Sequence, residues 1–292
     1  MSCPCFDGTA DISVASFRSP LEAYDHVSMH YTDSLPRTCP LRKDNGKGEW
    51  YGITGPEDLM DKCALGIDDD LARSLSRSLS SLRTDEALRP VRRRWDVAGG
   101  SLSVPRHLSG DPMSFRHRVK GKARARIMEI VMLPTIDATV TVAETEAIGR
   151  CIGSVLGLLR GMGYAVGLST LSLTLYMIRG EPKNNPIRGM DIRIKSPQEI
   201  HNPRKISFAL SRVLARALFL ALVMEDPLYA RSYSRIVLPP TYDDVTFNVI
   251  DALHPGAKVI FDSNEIITRL RNGWSEEKCI EMLIASVTDY QH

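Results

Sequence analysis

The sequence lacks several features that would identify a class of function at once. Its 37 lysines and arginines nearly balance 35 aspartates and glutamates, so a uniformly basic nucleic-acid binder is excluded. The first twenty residues lack the basic start and apolar run of a secretory signal. The most apolar helical stretch, Ile206 to Met224, contains Arg212 and Arg216, whereas a membrane span needs roughly 18 uncharged residues. We therefore expect neither export nor a membrane partner.

The common catalytic motifs are also missing. No G-x-x-x-x-G-K-[ST], G-x-S-x-G or H-E-x-x-H occurs, which excludes the simplest ATPase, hydrolase and metalloprotease interpretations. The six cysteines include no C-x-x-C pair and are mostly far apart, which predicts reduced thiols in a cytoplasm rather than disulfide bridges. Cys3-x-Cys5 and His26-x-x-x-His30 could supply four zinc ligands, although the spacing is not that of a zinc finger. Free thiols and surface histidines are the alternative.

The order of the apolar segments predicts an α/β protein with a mixed, largely parallel sheet flanked by helices. Prolines in residues 1–48 indicate an irregular arm, and residues 49–90 form a small helical region in which a Ser/Arg-rich linker is an alternative after residue 68. Residues 91–240 are the expected core domain. Residues 241–292 either complete that core or form an appended strand-helix section.

The pattern of apolar residues predicts the helices and strands of the core domain. A strand begins near Arg118 and continues through the apolar run from Ile127 to Leu133, which indicates a strand buried on both faces. A helix from Ala143 to Gly161, a strand from Ala165 to Ile178 and an amphipathic helix from Lys205 to Met224 follow.

Four glycines, Gly149, Gly153, Gly157 and Gly161, recur every four residues and share one face of the first of these helices. Each interior glycine costs about 1 kcal/mol relative to alanine, so this face should be approached closely by another part of the protein. The helix packs tightly either on its own sheet or on a helix of a second subunit.

A local concentration of basic residues is the clearest functional signal. Residues 83–126 contain twelve Lys or Arg against four Asp or Glu, a balance of +8, whereas the remaining 25 basic and 31 acidic residues give −6. Cations at alternate positions of a strand share one face, and interleaved aromatic residues can stack on unpaired bases. The expected nucleic-acid contacts are Arg92, Arg93, Arg94, Trp95, Arg116, Arg118, Lys120, Lys122, Arg124 and Arg126. A solvated edge strand that prevents aggregation and a surface for acidic proteins are the alternatives.

A second candidate site follows the predicted buried strand. Asp137, Thr139 and Thr141 resemble the first metal-adhesion loop of von Willebrand factor A-type domains, in which an Asp and two hydroxyls help to bind Mg²⁺ at the carboxyl end of the first strand. The resemblance implies a weak Mg²⁺ site, and the alternative is that the protein has no cofactor. The loop departs from the pattern at its two threonines and at Pro134, and the alternative is a polar turn that caps the following helix.

A wider resemblance covers about half of the chain. The string RRRWDVAGGSLSVPRHLSGDP, with Leu108, Gly110 and Pro112, and the later helix from Ile206 to Pro227 are similar to a family of tailed-bacteriophage proteins that has no assigned activity. The resemblance implies a viral protein in the cytoplasm of the infected host cell.

Together these features predict a non-enzymatic phage protein that binds nucleic acid through a basic ribbon, as an accessory of replication or transcription. The alternatives are a protein-interaction module with a von Willebrand-like core, whose partner is a phage or host protein, and a metal-dependent nuclease. A homo-oligomer is compatible with the opposite charges of the two parts of the chain. Carboxylates that could serve the nuclease are Glu144, Glu146, Asp191, Asp243 and Asp244.

Overall fold

The structure is a computed structural model of the full chain. It describes residues 12–30, 39–42, 48–76, 91–96, 101–102, 104–109, 115–120, 126–134, 139–178, 186–199, 202–237, 243–255 and 257–288. The chain forms two compact units: Met1–Ser76 together with Ile127–His292, and Arg77–Arg126.

The secondary structure is a mixture of strands and helices. The described strands are β1 (Ile12–Phe17), β2 (Val91–Asp96), β3 (Ser101–Leu102), β4 (Phe115–Lys120), β5 (Arg126–Leu133), β6 (Tyr164–Ile178), β7 (Ile187–Lys195), β8 (Ser232–Val237) and β9 (Ala257–Asp262). The described helices are α1 (Pro20–Met29), α2 (Gly48–Tyr51), α3 (Pro56–Leu65), α4 (70–76), α5 (Val104–Leu108), α6 (Val142–Gly161), α7 (Pro203–Ala209), α8 (Phe219–Glu225), α9 (Leu228–Arg231), α10 (Asp243–Leu253), α11 (Ser263–Arg271) and α12 (Glu276–Thr288).

The larger unit is built on a mixed, mostly parallel sheet with the strand order β1-β7-β6-β5-β9. β1 runs parallel to β7 and β5 parallel to β9, whereas β6 and β7 are antiparallel. Thr174 and Leu175 of β6 pair with β7 on one side and with β8 on the other, so β8 lies on the edge of β6 opposite β7. The predicted α/β class is confirmed.

Both faces of this sheet are covered. Residues 130–133 of β5 are all buried and alternate between two cores, as a strand enclosed on both sides requires. Ile130 packs in the larger core with residues of α1, α6, α8 and α12, and Val131 packs in the smaller core with Ile250 of α10. The predicted buried strand is therefore confirmed.

The N-terminal segment is more regular than its prolines suggested. Instead of an irregular arm, residues 12–17 form β1, an edge strand of the main sheet, and Pro20 opens the helix α1. Proline is compatible with the first helical turn because its missing N–H would have no partner there, and Ser19 caps the helix by accepting from the Glu22 N–H at 3.1 Å.

The predicted strand between Arg118 and Leu133 is not one strand. β4 ends at Lys120 and pairs with β2 and β3, whereas β5 begins at Arg126 and belongs to the main sheet. Residues 121–125 lie outside the described residues. The boundary of the core therefore lies near residue 127 instead of residue 91, because β2, β3 and β4 pair with one another.

The glycine face of α6 receives leucines from α4. A β carbon at Gly149 would lie 2.9 Å from Leu71 Cδ2, and one at Gly153 would lie 3.2 Å from Leu75 Cδ2. The close neighbour of these two glycines is thus a helix of the same chain, whereas a β carbon at Gly157 would have no described atom within 4 Å. Residues 70–76 are helical, and the remainder of the proposed linker lies outside the described residues.

The predicted helix from Lys205 to Met224 is divided into α7, a π-helical segment (Val213–Leu218) and α8. Arg216 of the π-helical segment is buried, donates to the carbonyl oxygen of Val140 and lies 4.8 Å from the centre of the Trp50 ring. No single helix of the described residues is long and apolar enough to cross a membrane. α7 and residues 213–225 meet the criterion of length and composition only as a pair bent by 50°.

Candidate functional site

The basic segment forms a three-stranded antiparallel sheet with the order β2-β4-β3. Arg93 pairs with Arg118, and Trp95 pairs with Arg116. Ser101 of β3 also pairs with Arg116. This small sheet is separate from the main sheet.

This register collects predicted contact residues on one face. Paired positions of an antiparallel sheet share a face, and positions two apart on a strand do so as well. Arg93, Trp95, Arg116, Arg118 and Lys120 therefore occupy the same face of the β2-β4 pair, which we call the basic face. It carries four cationic positions and one aromatic position.

The remaining predicted residues are distributed elsewhere. Arg92 and Arg94 lie on the opposite face, where Arg94 pairs with His117. Lys122 and Arg124 lie outside the described residues, and Arg126 is the first residue of β5. The structure therefore brings together five of the ten predicted contacts.

The predicted metal loop has a structural use at its second threonine. Thr141 is the N-cap of α6: its Oγ1 accepts from the Glu144 N–H at 3.2 Å, and its own N–H donates to Glu144 Oε2 at 2.7 Å. This reciprocal capping box satisfies two backbone donors that the first turn would leave unpaired. Thr139 is exposed, and Asp137 lies outside the described residues.

A cation is already present beside this loop. Arg271 of α11 donates from Nε to Glu144 Oε1 at 2.7 Å and from Nη2 to the Thr139 carbonyl oxygen at 3.2 Å. The guanidinium of Arg271 and the N–H of Thr141 lower the pKa of Glu144 to about 2. A positive side chain at this position disfavours a second cation within a few ångströms.

Sequence reasoning missed a carboxyl group at the same edge of the sheet. Asp262 ends β9 and pairs with Leu133, the last residue of the parallel strand β5. Its side chain caps α11 by accepting from the Asn264 N–H at 2.9 Å, and burial raises its pKa to about 6. The signal that could have identified it is an Asp between an apolar strand and a helix.

A buried aspartate-histidine pair was also missed in part. Asp191 lies in the middle of β7, and its Oδ1 is 2.9 Å from Nε2 of His254, which follows α10; both residues are buried. Asp191 was named only as a nuclease carboxylate. His254 is 63 positions away from Asp191 in the chain, so no short sequence motif could reveal the pair.

A further cleft among the described residues has a volume of about 420 Å³. Its lining includes Lys195, Glu199, Asn202 and Lys205 beside apolar side chains. Lys195 is buried, which lowers its pKa, and its Nζ donates to the carbonyl oxygens of Val166 at 2.8 Å and Ser196 at 2.9 Å. These two bonds give the lysine a structural role.

His26 and His30, named as zinc ligands, do come together, but with a different partner. Their imidazoles lie beside Glu225, the last residue of α8. Cys3 and Cys5 lie outside the described residues. Among the described residues this is the only group of three or more His, Cys, Asp or Glu side chains whose candidate ligand atoms all lie within 4.8 Å of one another.

The fold and these sites define an α/β protein with a mixed main sheet and a separate, small antiparallel sheet whose paired strands carry many arginines. Residues 7–252 match a family described as a domain of unknown function, DUF7192, and the chain belongs to this family. The match bears out the expectation of a family without an assigned activity. No curated protein and no solved structure matches the chain.

Proposed function

We propose that the protein binds single-stranded nucleic acid through the basic face of its β2-β4 sheet. The observation that carries the proposal is the register that places Arg93, Arg116, Arg118 and Lys120 on one face with Trp95. Cations that neutralise phosphates, together with an aromatic ring on which a base can stack, are the combination used by single-strand binders.

The aromatic position of the basic face favours an unpaired strand. The bases of a duplex are paired and stacked on one another, so they are not free to stack on a protein side chain. An unpaired strand can place a base on Trp95 while its phosphates contact the neighbouring cations.

The proposal is tested with two double variants that remove equal charge from opposite faces. Arg93→Gln with Arg118→Gln removes a directly opposed pair from the basic face, and Arg92→Gln with Arg94→Gln is the matched control. Affinity for a single-stranded oligonucleotide is measured against salt concentration. With four phosphate contacts, log K should fall with log salt with a slope of about −3 for the unaltered protein.

The basic-face variant should reduce this slope by about 1.4, because each lost phosphate contact contributes about 0.7. The control should bind almost as well as the unaltered protein. Absence of binding at low salt, or an equal loss in both variants, would contradict the proposal. Concentration-dependent self-association without nucleic-acid binding would instead indicate that the basic face meets the acidic part of a second copy.

A protein-interaction module with a von Willebrand-like core is the second candidate. One observation favours it: the carboxyl ends of the parallel strands β5 and β9 meet, so Asp262 supplies a carboxyl group beside the end of the strand that leads to Asp137. Mg²⁺ bound there would raise the thermal unfolding temperature of the unaltered chain and not that of Asp137→Ala. If Mg²⁺ leaves the thermal unfolding temperature of the unaltered protein unchanged, this candidate is excluded.

The setting and the nuclease alternative also remain proposals. Action in the cytoplasm of a phage-infected host is supported by the sequence resemblance and by four buried cysteines that are free thiols among the described residues. The nuclease receives less support. Glu144 pairs with Arg271 and Asp191 with His254, so neither carboxylate lies in an acidic cluster of the described residues. Cleavage of an oligonucleotide in the presence of Mg²⁺ would revive it.

A further inference from the structure

We propose that His26, His30 and Glu225 bind a divalent transition-metal ion of the zinc type. The site lies in the larger unit and is independent of the nucleic-acid proposal. His26 Nε2 is 3.4 Å from Glu225 Oε2, and His30 Nδ1 is 3.7 Å from Glu225 Oε1. Donor atoms about 2.0–2.1 Å from a tetrahedral ion are about 3.4 Å apart, so His26 Nε2 and Glu225 Oε2 already have the required separation.

Two packed helices hold the three side chains. His26 and His30 are four residues apart at the end of α1, so their rings lie on the same side of the helix, with centres 4.5 Å apart. Glu225 ends α8, and α1 and α8 pack in the same core through residues such as Val27 and Leu222. A site on two helices of one core is largely preformed, which reduces the entropy lost on binding.

The carboxylate of Glu225 lacks a permanent positive partner among the described residues. Its side chain is only 19% exposed, and its ion-pair partners there are the two imidazoles. No arginine or lysine of the described residues forms an ion pair with it, although a carboxylate taken partly out of water needs compensation. A metal ion bound to neutral imidazoles would provide that charge.

The ring of His30 is held in a suitable tautomer. Its Nδ1 lies 2.7 Å from the carbonyl oxygen of His26 and donates to it. With the proton on Nδ1, the lone pair is on Nε2, so the ring of His30 has to turn to present Nε2 to the ion. A hydrogen bond from the second nitrogen to a backbone carbonyl is a common feature of histidine ligands.

The ligand set selects the class of metal. Two imidazoles and one carboxylate suit zinc, copper, nickel and iron, whereas magnesium and calcium prefer oxygen ligands alone. Three protein ligands leave the fourth position of a tetrahedral ion for water or an anion. Such an open position is typical of zinc that binds or activates a further molecule, as opposed to zinc that only stabilises a fold.

The test uses the full chain after treatment with a chelator. Titration calorimetry with Zn²⁺ should give one site per chain. His26→Gln and Glu225→Gln should each weaken binding by at least about 10- to 100-fold, the loss caused even by removing an outer partner of a metal ligand. Asp25→Asn is the matched control, because it removes an exposed carboxylate beside His26 that is not in the group.

Co²⁺ in place of Zn²⁺ distinguishes this site from binding by cysteines. The proposal predicts visible absorption of the intensity expected for four-coordinate Co²⁺, without a sulfur-to-cobalt band in the near ultraviolet. Circular dichroism establishes that each variant is folded. Unchanged Zn²⁺ affinity in folded Glu225→Gln, a sulfur-to-cobalt band, or no binding by the unaltered chain would each overturn the proposal.

Discussion

At the scale of single residues, two carboxyl groups with strongly shifted pKa values lie where the chain changes from strand to helix. Asp262 and Glu144 both lie at the start of a helix near the end of β5, yet their pKa values shift in opposite directions. Burial dominates at Asp262 and disfavours its charged form, whereas the Arg271 guanidinium dominates at Glu144 and favours it. Neighbouring helix starts can therefore have opposite effects on stability as the pH changes.

Asp262 should make the protein less stable as the pH rises. Its folded pKa of about 6 is above its unfolded value of 3.8, so the folded state retains a proton that the unfolded state loses in that range. The free energy of unfolding should therefore fall between about pH 4 and pH 6. Asp262→Asn preserves the cap and removes the titration, so its advantage over the unaltered protein should grow from near zero at pH 4 to a plateau above pH 6.

Above pH 6 the difference in the free energy of unfolding between Asp262→Asn and the unaltered protein should be on the order of 3 kcal/mol, because each pKa unit corresponds to about 1.4 kcal/mol. Urea unfolding at pH 4, 5, 6 and 7 measures this difference. Glu265→Gln, which removes an exposed carboxylate from the same helical turn, is the control and should not show this increase. A stability difference for Asp262→Asn that is equal at pH 4 and pH 7 would show that the group does not titrate in this range.

At the scale of helices and strands, local sequence patterns predict the type and position of an element better than they predict which other element it packs against. Apolar runs and glycine caps located β5, α6 and β6 closely, since each depends on residues a few positions apart. The contact of Gly149 with Leu71 depends on residues 78 positions apart in the chain, and no spacing within α6 could reveal it. Gly149 and Gly153 indicate correctly that another part of the protein packs closely there, but not which part, and Gly157 has no such neighbour among the described residues.

The same limit explains the errors in the core boundary and the N-terminal arm. Alternate cations indicate a strand but not its partners, so the pattern predicts one continuous strand where the structure has β4 and β5. Prolines usually break helices, but Pro20 lies in the first turn of α1, which accepts proline. The candidate sites follow this rule: the basic face came from alternation along the chain, whereas Glu225 joins His26 and His30 only through the packing of α1 and α8.

At the scale of the whole molecule, the fold extends beyond the family match, which ends at residue 252. The sequence left open whether the C-terminal section completes the core. β9 pairs with β5 in the main sheet, and Leu283 and Val287 of α12 are buried in the larger core. Arg150 of α6 donates to Glu276 of α12 at 2.7 Å. The C-terminal section therefore completes the core, and its removal exposes both an apolar face and an unpaired edge of β5.

A chain that ends at Ala252 should therefore fail to fold as the full chain does. Removal of Val259, Phe261, Leu283 and other buried residues exposes their apolar neighbours to water, and the free edge of β5 is a template for aggregation. We expect the truncated chain to be insoluble, or soluble without a cooperative unfolding transition in urea. A chain that ends at Thr288 is the control and should unfold like the full chain. A soluble chain ending at Ala252 with an unchanged, cooperative unfolding midpoint would show instead that residues 253–292 are an appendage.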